Sequence, residues 1–314
     1  MTHSPHVIMS AASGSSTRLK IWGVRGSIPV PGRGTVRYGG NTSCIEIRAD
    51  GELIILDAGS GIRELGLALE NEFGSRPINL SLLITHLHWD HIQGFPFFGP
   101  AYHDKNQMQI LGYDGTGPGL GEILKRQMGT PFFPVSLCDL PGKIKIEKLD
   151  SMDFKIGNVR VLSEFMNHPG VCVGYRIVTS KGSIAYLPDH EPYEAGKLHS
   201  PKAHLLSPEQ AQKRAREDRA DLVKFLQDCD ILILDTQYTD EEYRAHVGWG
   251  HGSLSTGISL AVDASVRKLI LFHHDPTHDD NAIDHMVQTA RKLAAESESD
   301  LEVEGAREGA EFTL

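Results

Sequence analysis

Leu80-Ser81-Leu82-Leu83-Ile84-Thr85-His86-Leu87-His88-Trp89-Asp90-His91 is the stretch on which the reading of this chain turns. An apolar run of strand type empties into three histidines and an aspartate, a density that folding alone does not demand. In an extended segment residues two apart point the same way, so His86 and His88 share a face, and their imidazole nitrogens suit Zn, Fe or Mn ions. Asp90 and His91 fall where the chain turns into the next element, in position to face a second ion nearby.

Outward from this stretch, other apolar runs end on similar residues. Residues 44–48 and 53–57 read as a hairpin through Asp50-Gly51, a pair suited to positive φ, and its second strand ends on Asp57. His168 follows the strand 160–165 in the loop Met166-Asn167-His168-Pro169-Gly170. Asp189 follows the strand 183–187, and His273-His274 follows the strand 269–272. Open sheets flanked by helices place ligand sites at such strand ends, because the strands are rigid and the loops free to vary. On this pattern His168 supplies a third nitrogen to the first ion, Asp189 bridges both, and His273 or His274 completes the second site.

The remaining chain reads as one α/β domain over residues 17–314, two sheets covered by helices, behind a loose tail at 1–16 that holds His3 and His6. Residues 17–23 alternate as a strand, and 24–41 form a loop rich in Gly and Pro. Ile62, Leu65, Leu69 and Phe73 recur at helical spacing. Strands are expected at 107–112, 143–148, 154–156 and 172–179, the last forming a hairpin with 183–187. Helices are expected at 120–128 and from Ser207-Pro208 to Gln227. The strand 231–234 ends on Asp235. The loop 247–253 opens a helix with Ser255 as N-cap, and the final helix covers 279–295. The aromatic run 95–102 is a loop that anchors itself through Phe side chains. The mixed charges of 213–219 read as a solvated helical face within the polar segment 195–219.

The chain has 314 residues, 40% of them hydrophobic, as in a globular protein with a real core, and a formal net charge of −10. That balance argues against broad capture of extended nucleic acid, which requires a basic face. Cys44, Cys138, Cys172 and Cys229 lie far apart without a CxxC pair, so they read as free thiols in a reducing cytoplasm. No run reaches the roughly 18 apolar residues of a membrane span, and no membrane partner is expected.

The ordered set His86, His88, Asp90, His91, His168, Asp189 and a late histidine resembles the binuclear hydrolases of the metallo-β-lactamase superfamily. The stretches Trp22-Gly23-Val24-Arg25-Gly26-Ser27, Tyr38-Gly39-Gly40-Asn41-Thr42-Ser43-Cys44 and Leu56-Asp57-Ala58-Gly59 resemble a bacterial group of its phosphodiesterase branch, which includes ribonuclease Z and cyclic phosphodiesterases. The resemblance implies an αββα four-layer sandwich with the metals at the edge of the two sheets. It makes His86, His88 and His168 ligands of one ion, and Asp90, His91 and His273 ligands of the other, with Asp189 bridging. Asp57 would orient ligands, and Asn41 and His274 would lie beside the metals or along the substrate pocket. His251 resembles the histidine that ribonuclease Z uses near the scissile phosphate, although the family reads Gly-His-Ser-Thr where this chain has Gly250-His251-Gly252-Ser253.

The expected cofactors are two divalent ions, Zn first, with Mn or Fe as alternatives. Two ions carry +4, and Asp90, Asp189 and a bridging hydroxide return about −3, so the site stays positive by about one unit and suits a phosphodiester. The reading is therefore a phosphodiesterase acting on small or cyclic nucleotides through that hydroxide, with His251 and Asp90 as catalytic groups. Hydrolysis of lactone, thioester or β-lactam carbonyls is one alternative, and an RNA-processing endonuclease of ribonuclease Z type is another. The acidic balance, and the lack of a Gly-rich basic arm, favour a small substrate over tRNA. A regulatory module without catalysis would have lost ligands, and none is missing. A homodimer is compatible with this reading.

Overall fold

The computed structural model describes residues 16–115, 117–194, 198–199 and 205–314. The tail reading for 1–15, with His3 and His6, lies outside the described residues, as does part of the polar segment 195–219.

The first half of the chain builds one sheet. β1 (Arg18–Gly23), β2 (Cys44–Ala49) and β3 (Glu52–Leu56) run antiparallel, and Asp50 and Gly51 take the positive φ of the turn between the last two (52° and 91°). The helix α1 (Ile62–Phe73) then crosses to β4 (Asn79–Leu83), which lies parallel to β3. The short α2 (Trp89–Ile92), β5 (Gln107–Gly112), α3 (Leu120–Gln127) and β6 (Lys143–Lys148) complete this half.

The second half repeats the plan. β7 (Asp153–Ile156), β8 (Val159–Phe165), β9 (Val173–Thr179) and β10 (Gly182–Leu187) form a meander. Next come α4 (Pro208–Leu226), β11 (Ile231–Asp235), α5 (Asp240–His246), α6 (Leu254–Asp263), β12 (Lys268–Phe272) and α7 (Asp280–Glu296). β13 (Glu302–Gly305) closes the edge of this second sheet, and β14 (Glu311–Thr313) returns to pair with β1, so each sheet has seven strands among the described residues.

Side-chain alternation explains the layers. Ile231, Ile233, Ile270 and Phe272 face inward against Ile54, Leu56 and Leu83 of the other sheet, while Leu232, Leu234, Leu269 and Leu271 face outward under α4, α6 and α7. In the first sheet Ile55, Leu80, Leu82 and Ile110 face outward under α1 and α3. Strands covered on both faces read as continuous apolar runs, as β4, β11 and β12 do. The result is the expected αββα four-layer sandwich.

Three expectations are corrected. The sequence reading stops at the last helix, whereas β13 and β14 follow it; they are only four and three residues long, and glutamates at Glu302, Glu304 and Glu311 pair with Lys268 and Lys20 instead of showing an apolar face. Residues 240–246, left without an element, form α5 behind a capping box between Thr239 and Glu242. The N-cap position of α6 is Ser253, not Ser255, whose hydroxyl bonds Asp240 at 2.6 Å. No helix among the described residues is long and apolar enough to cross a membrane.

Candidate metal centre

The strand ends converge on one edge of the sandwich. β10, β11 and β12 are mutually parallel, and β8, antiparallel to β9, runs in their direction. Their carboxyl ends therefore deliver the loop holding His168, then Asp189, Asp235 and His273, to the same side. From the first sheet Asp57 follows β3 and the histidine stretch follows β4. At Ile84 the chain still bonds β5 through its N–H and begins to bond the other sheet through its carbonyl: Tyr175 Oη–H donates to Ile84 O at 2.8 Å, and Val173 N–H to Thr85 O at 3.1 Å.

Two groups of donors result, and a third set, Asp189, His251 and His273, overlaps both. His86, His88, His168 and Asp189 each bring one ligand atom within 4.8 Å of the others, as do Asp90, His91 and His273. Asp189 lies between them: its Oδ2 is 3.6 Å from His86 Nε2 and 3.7 Å from His168 Nε2, and its Oδ1 is 3.0 Å from His91 Nε2 and 3.4 Å from His273 Nε2. His88 presents Nδ1, 3.0 Å from His168 Nε2. Asp90 Oδ2 lies 3.2 Å from His273 Nε2 and accepts Ser27 N–H at 2.7 Å.

The donor set fits divalent cations. His86 Nε2, His91 Nε2 and Asp189 Oδ1 are buried atoms without a hydrogen-bond partner, and such orphans are costly unless something coordinates them. Burial would push the His91 imidazole toward neutrality, yet Asp189, Asp90 and Asp57 together hold its pKa well above the ordinary value. The three carboxylates thus demand positive charge at this point, and a cation can take the place of that proton. Burial lowers the pKa of His86, and that of His168 to about 4, so both offer free lone pairs.

The opposite ring nitrogens are tied down. His91 Nδ1–H donates to Asp57 Oδ2 at 2.8 Å, and His86 Nδ1–H to Thr85 Oγ1 at 3.1 Å. Asp57 also accepts from Thr85 N–H, Thr85 Oγ1–H and Tyr186 Oη–H, at 2.8, 2.9 and 3.0 Å. His168 Nδ1–H donates to Gly250 O at 2.8 Å and His273 Nδ1–H to Gln237 Oε1 at 2.9 Å. Each bond fixes a tautomer and turns Nε2 toward the cluster. Gly250 has φ +92°, and a Cβ there would meet His168 Nδ1 at 2.5 Å, so both its conformation and its clearance require glycine.

His251 joins this site although glycine follows it. Its Nδ1–H donates to Asp235 Oδ2 at 2.9 Å, and its ring stacks on His273 with centroids 4.9 Å apart. Gly252 makes room: a Cβ there would meet Asp235 O at 2.5 Å. Burial works against protonating His251, but Asp235 prevails and the pKa rises to about 9.

Asp235, Gln237 and Glu191 went unassigned in the sequence. The buried Glu191 carboxylate accepts Gly248 N–H, Gly250 N–H and Tyr243 Oη–H at 2.7, 3.1 and 2.9 Å, fixing the loop that carries His251. The signal for Asp235 was its place at a strand end, shared with the other site residues.

Two residues lie apart from the cluster's contacts. His274 Nε2–H donates to Ala306 O at 2.8 Å, and its ring sits edge-on to Tyr38. Asn41 bonds Glu308 through its amide at 3.1 Å and accepts Ser60 Oγ–H at 2.9 Å, joining loops.

Residues 53–274 match the family model for a beta-lactamase superfamily domain. The chain belongs to this family and is a metallo-β-lactamase-fold hydrolase. Ribonuclease Z of Picrophilus torridus is 22% identical to it over 291 residues, which cover 85% of this chain and 88% of that protein. The structure of unliganded yeast PDE1 is similar with a TM-score of 0.67 at 17% identity, over 95% of this chain and 99% of that one. Zn(2+)-bound PqqB from Methylobacterium extorquens is similar with a TM-score of 0.63 at 16% identity, over 95% of this chain and 100% of that one.

Proposed function

We propose that this hydrolase is a binuclear metal-dependent phosphodiesterase acting on small or cyclic nucleotides. His86, His88 and His168 would hold one ion, and Asp90, His91 and His273 the other, with the Asp189 carboxylate between the two groups. Zn is the first expectation, and Mn and Fe also suit the nitrogen and carboxylate donors. When bound, such a pair lowers the pKa of water and neutralises charge on a phosphoryl group.

The observation that carries the reading is the His251 imidazole held by the Asp235 carboxylate beside the cluster (2.9 Å), a pairing that favours the protonated ring. As the attacking water forms the new P–O bond, the bond to the leaving alkoxide breaks. Asp90 takes the proton that the water sheds, and His251 gives one from Nε2 to the leaving oxygen; exchange with solvent restores both. Asp235 steadies the imidazolium before transfer. Glu191 holds the loop so that this donor stays in register with the cluster. The similarity to proteins named Ribonuclease Z favours a phosphodiester over a carbonyl. The net charge of −10 favours a small substrate over an extended RNA.

The full chain supplied with Mn or Zn is expected to cleave bis(p-nitrophenyl) phosphate and a cyclic nucleotide, and chelator to abolish both reactions. Efficient turnover of a lactone or β-lactam, with no phosphodiester cleavage under any metal, would sink the proposal.

A further inference from the structure

The cluster meets solvent at His88, which is exposed, and at His251, whose side chain is 12% accessible. Each has an exposed tryptophan as a near neighbour in the chain: Trp89, 72% exposed, follows His88, and Trp249, 62% exposed, stands two residues before His251. The chain contains only three tryptophans, so two of them adjoin the open side of one site. Leaving large apolar rings in water forgoes the favourable burial that a core position would give them.

The two residues are also linked along the chain to one ligand of the site. Trp89 adjoins His88, whose Nδ1 lies 3.0 Å from His168 Nε2. Trp249 adjoins Gly250, whose carbonyl accepts His168 Nδ1–H at 2.8 Å. Both therefore leave the backbone within one residue of a contact to His168. Trp249 is braced as well: His246 meets its ring edge-on at 4.9 Å, and His246 stacks on Tyr238 at 4.4 Å. A braced, solvent-facing indole loses little freedom when a flat ligand settles on it. Among the described residues only histidines form ion pairs with the Asp90 and Asp189 carboxylates, and the two indoles offer apolar faces for the part of a ligand beyond the phosphate.

We infer that Trp89 and Trp249 are specificity-determining residues, stacking faces for the aromatic base attached to the phosphodiester. This rests on the phosphodiesterase reading and narrows it to substrates with a base beside the scissile phosphate. Stacking tolerates every base, since each has a π face, and its loss on truncation to alanine corresponds to about 5- to 150-fold in affinity.

The test is calorimetric titration of the full-length, metal-loaded protein with AMP and with ribose 5-phosphate, which lacks the base. The expected result is AMP binding at least about 5-fold tighter than ribose 5-phosphate. Trp89→Ala and Trp249→Ala should each weaken AMP by at least about 5-fold while leaving ribose 5-phosphate within about 2-fold, and Trp→Phe should restore most of the loss. Equal binding of the two ligands by the parent protein, or equal loss of both in the alanine variants, would overturn the inference. A short single-stranded RNA included as a further ligand tells the source of the base: either ranking against AMP supports stacking provided the alanine variants weaken the tighter ligand. Hydrolysis of bis(p-nitrophenyl) phosphate by the same preparations separates the two readings. Turnover without base discrimination defeats only the stacking, and base discrimination without turnover defeats only the phosphodiesterase.

Discussion

Asp189→Ala is expected to lower phosphodiester turnover by at least about 1,000-fold and to remove bound metal, with the fold retained. Its carboxylate reaches both histidine sets, with His86 and His168 near one oxygen and His91 and His273 near the other. Burial opposes ionisation, but His273, His91 and His86 hold that carboxyl well below its ordinary pKa, so the aspartate is ionised. Without it, the His86–His88–His168 group loses its only carboxylate and the second group keeps Asp90 alone. Metal analysis of the purified variant beside circular dichroism checks this: a folded protein that retains its ions and its rate would remove Asp189 from the site.

His251→Ala is expected to cost about 100-fold or more on a cyclic nucleotide, whose alkoxide leaves poorly, and far less on bis(p-nitrophenyl) phosphate, whose phenolate leaves unaided. A merely structural loss would strike both substrates alike. The pH profile gives a second handle. A proton donor whose pKa is raised to about 9 is active below that value, and its contribution fades as pH climbs through it. Asp235→Asn keeps an oxygen for His251 and His190 N–H, at the expense of the bond from Gln237 N–H to Oδ1, but removes the charge. The alkaline limb should then move down toward 6.5 or lower, because burial still disfavours the cation. The same partner makes a stability contribution with the same sign: it is present below the unfolded pKa and lost as pH rises through about 9.

Much of this was legible in the chain because the chemistry is local. His86, His88, Asp90 and His91 follow one buried strand, so spacing alone brings them together. His168, Asp189 and His273 could be proposed because each ends a strand of parallel direction, and parallel sheets gather those ends. Asp235 stood in the same position yet was passed over, since its function lies in a partner sixteen residues away, His251, that only the fold brings to 2.9 Å. Glu191 and Gln237 were hidden for the same reason: their contacts are to backbone and to a ring nitrogen across the site. Thr85, at the end of the apolar run, links Asp57 and His86 through its hydroxyl. β13 and β14 escaped notice because edge strands this short carry glutamates where a buried strand would carry valine or isoleucine.

The central claim is that two ions held by this cluster make the chain a phosphodiesterase. It is tested most directly by stripping the full-length protein with chelator and returning Zn or Mn stepwise, with bound metal and cyclic-nucleotide cleavage measured at each step. The account requires cleavage to be absent at the start, to rise with bound metal and to level off at about two ions per chain. A protein that takes up two ions and cleaves no phosphodiester, or that cleaves one with no ion bound, would contradict it.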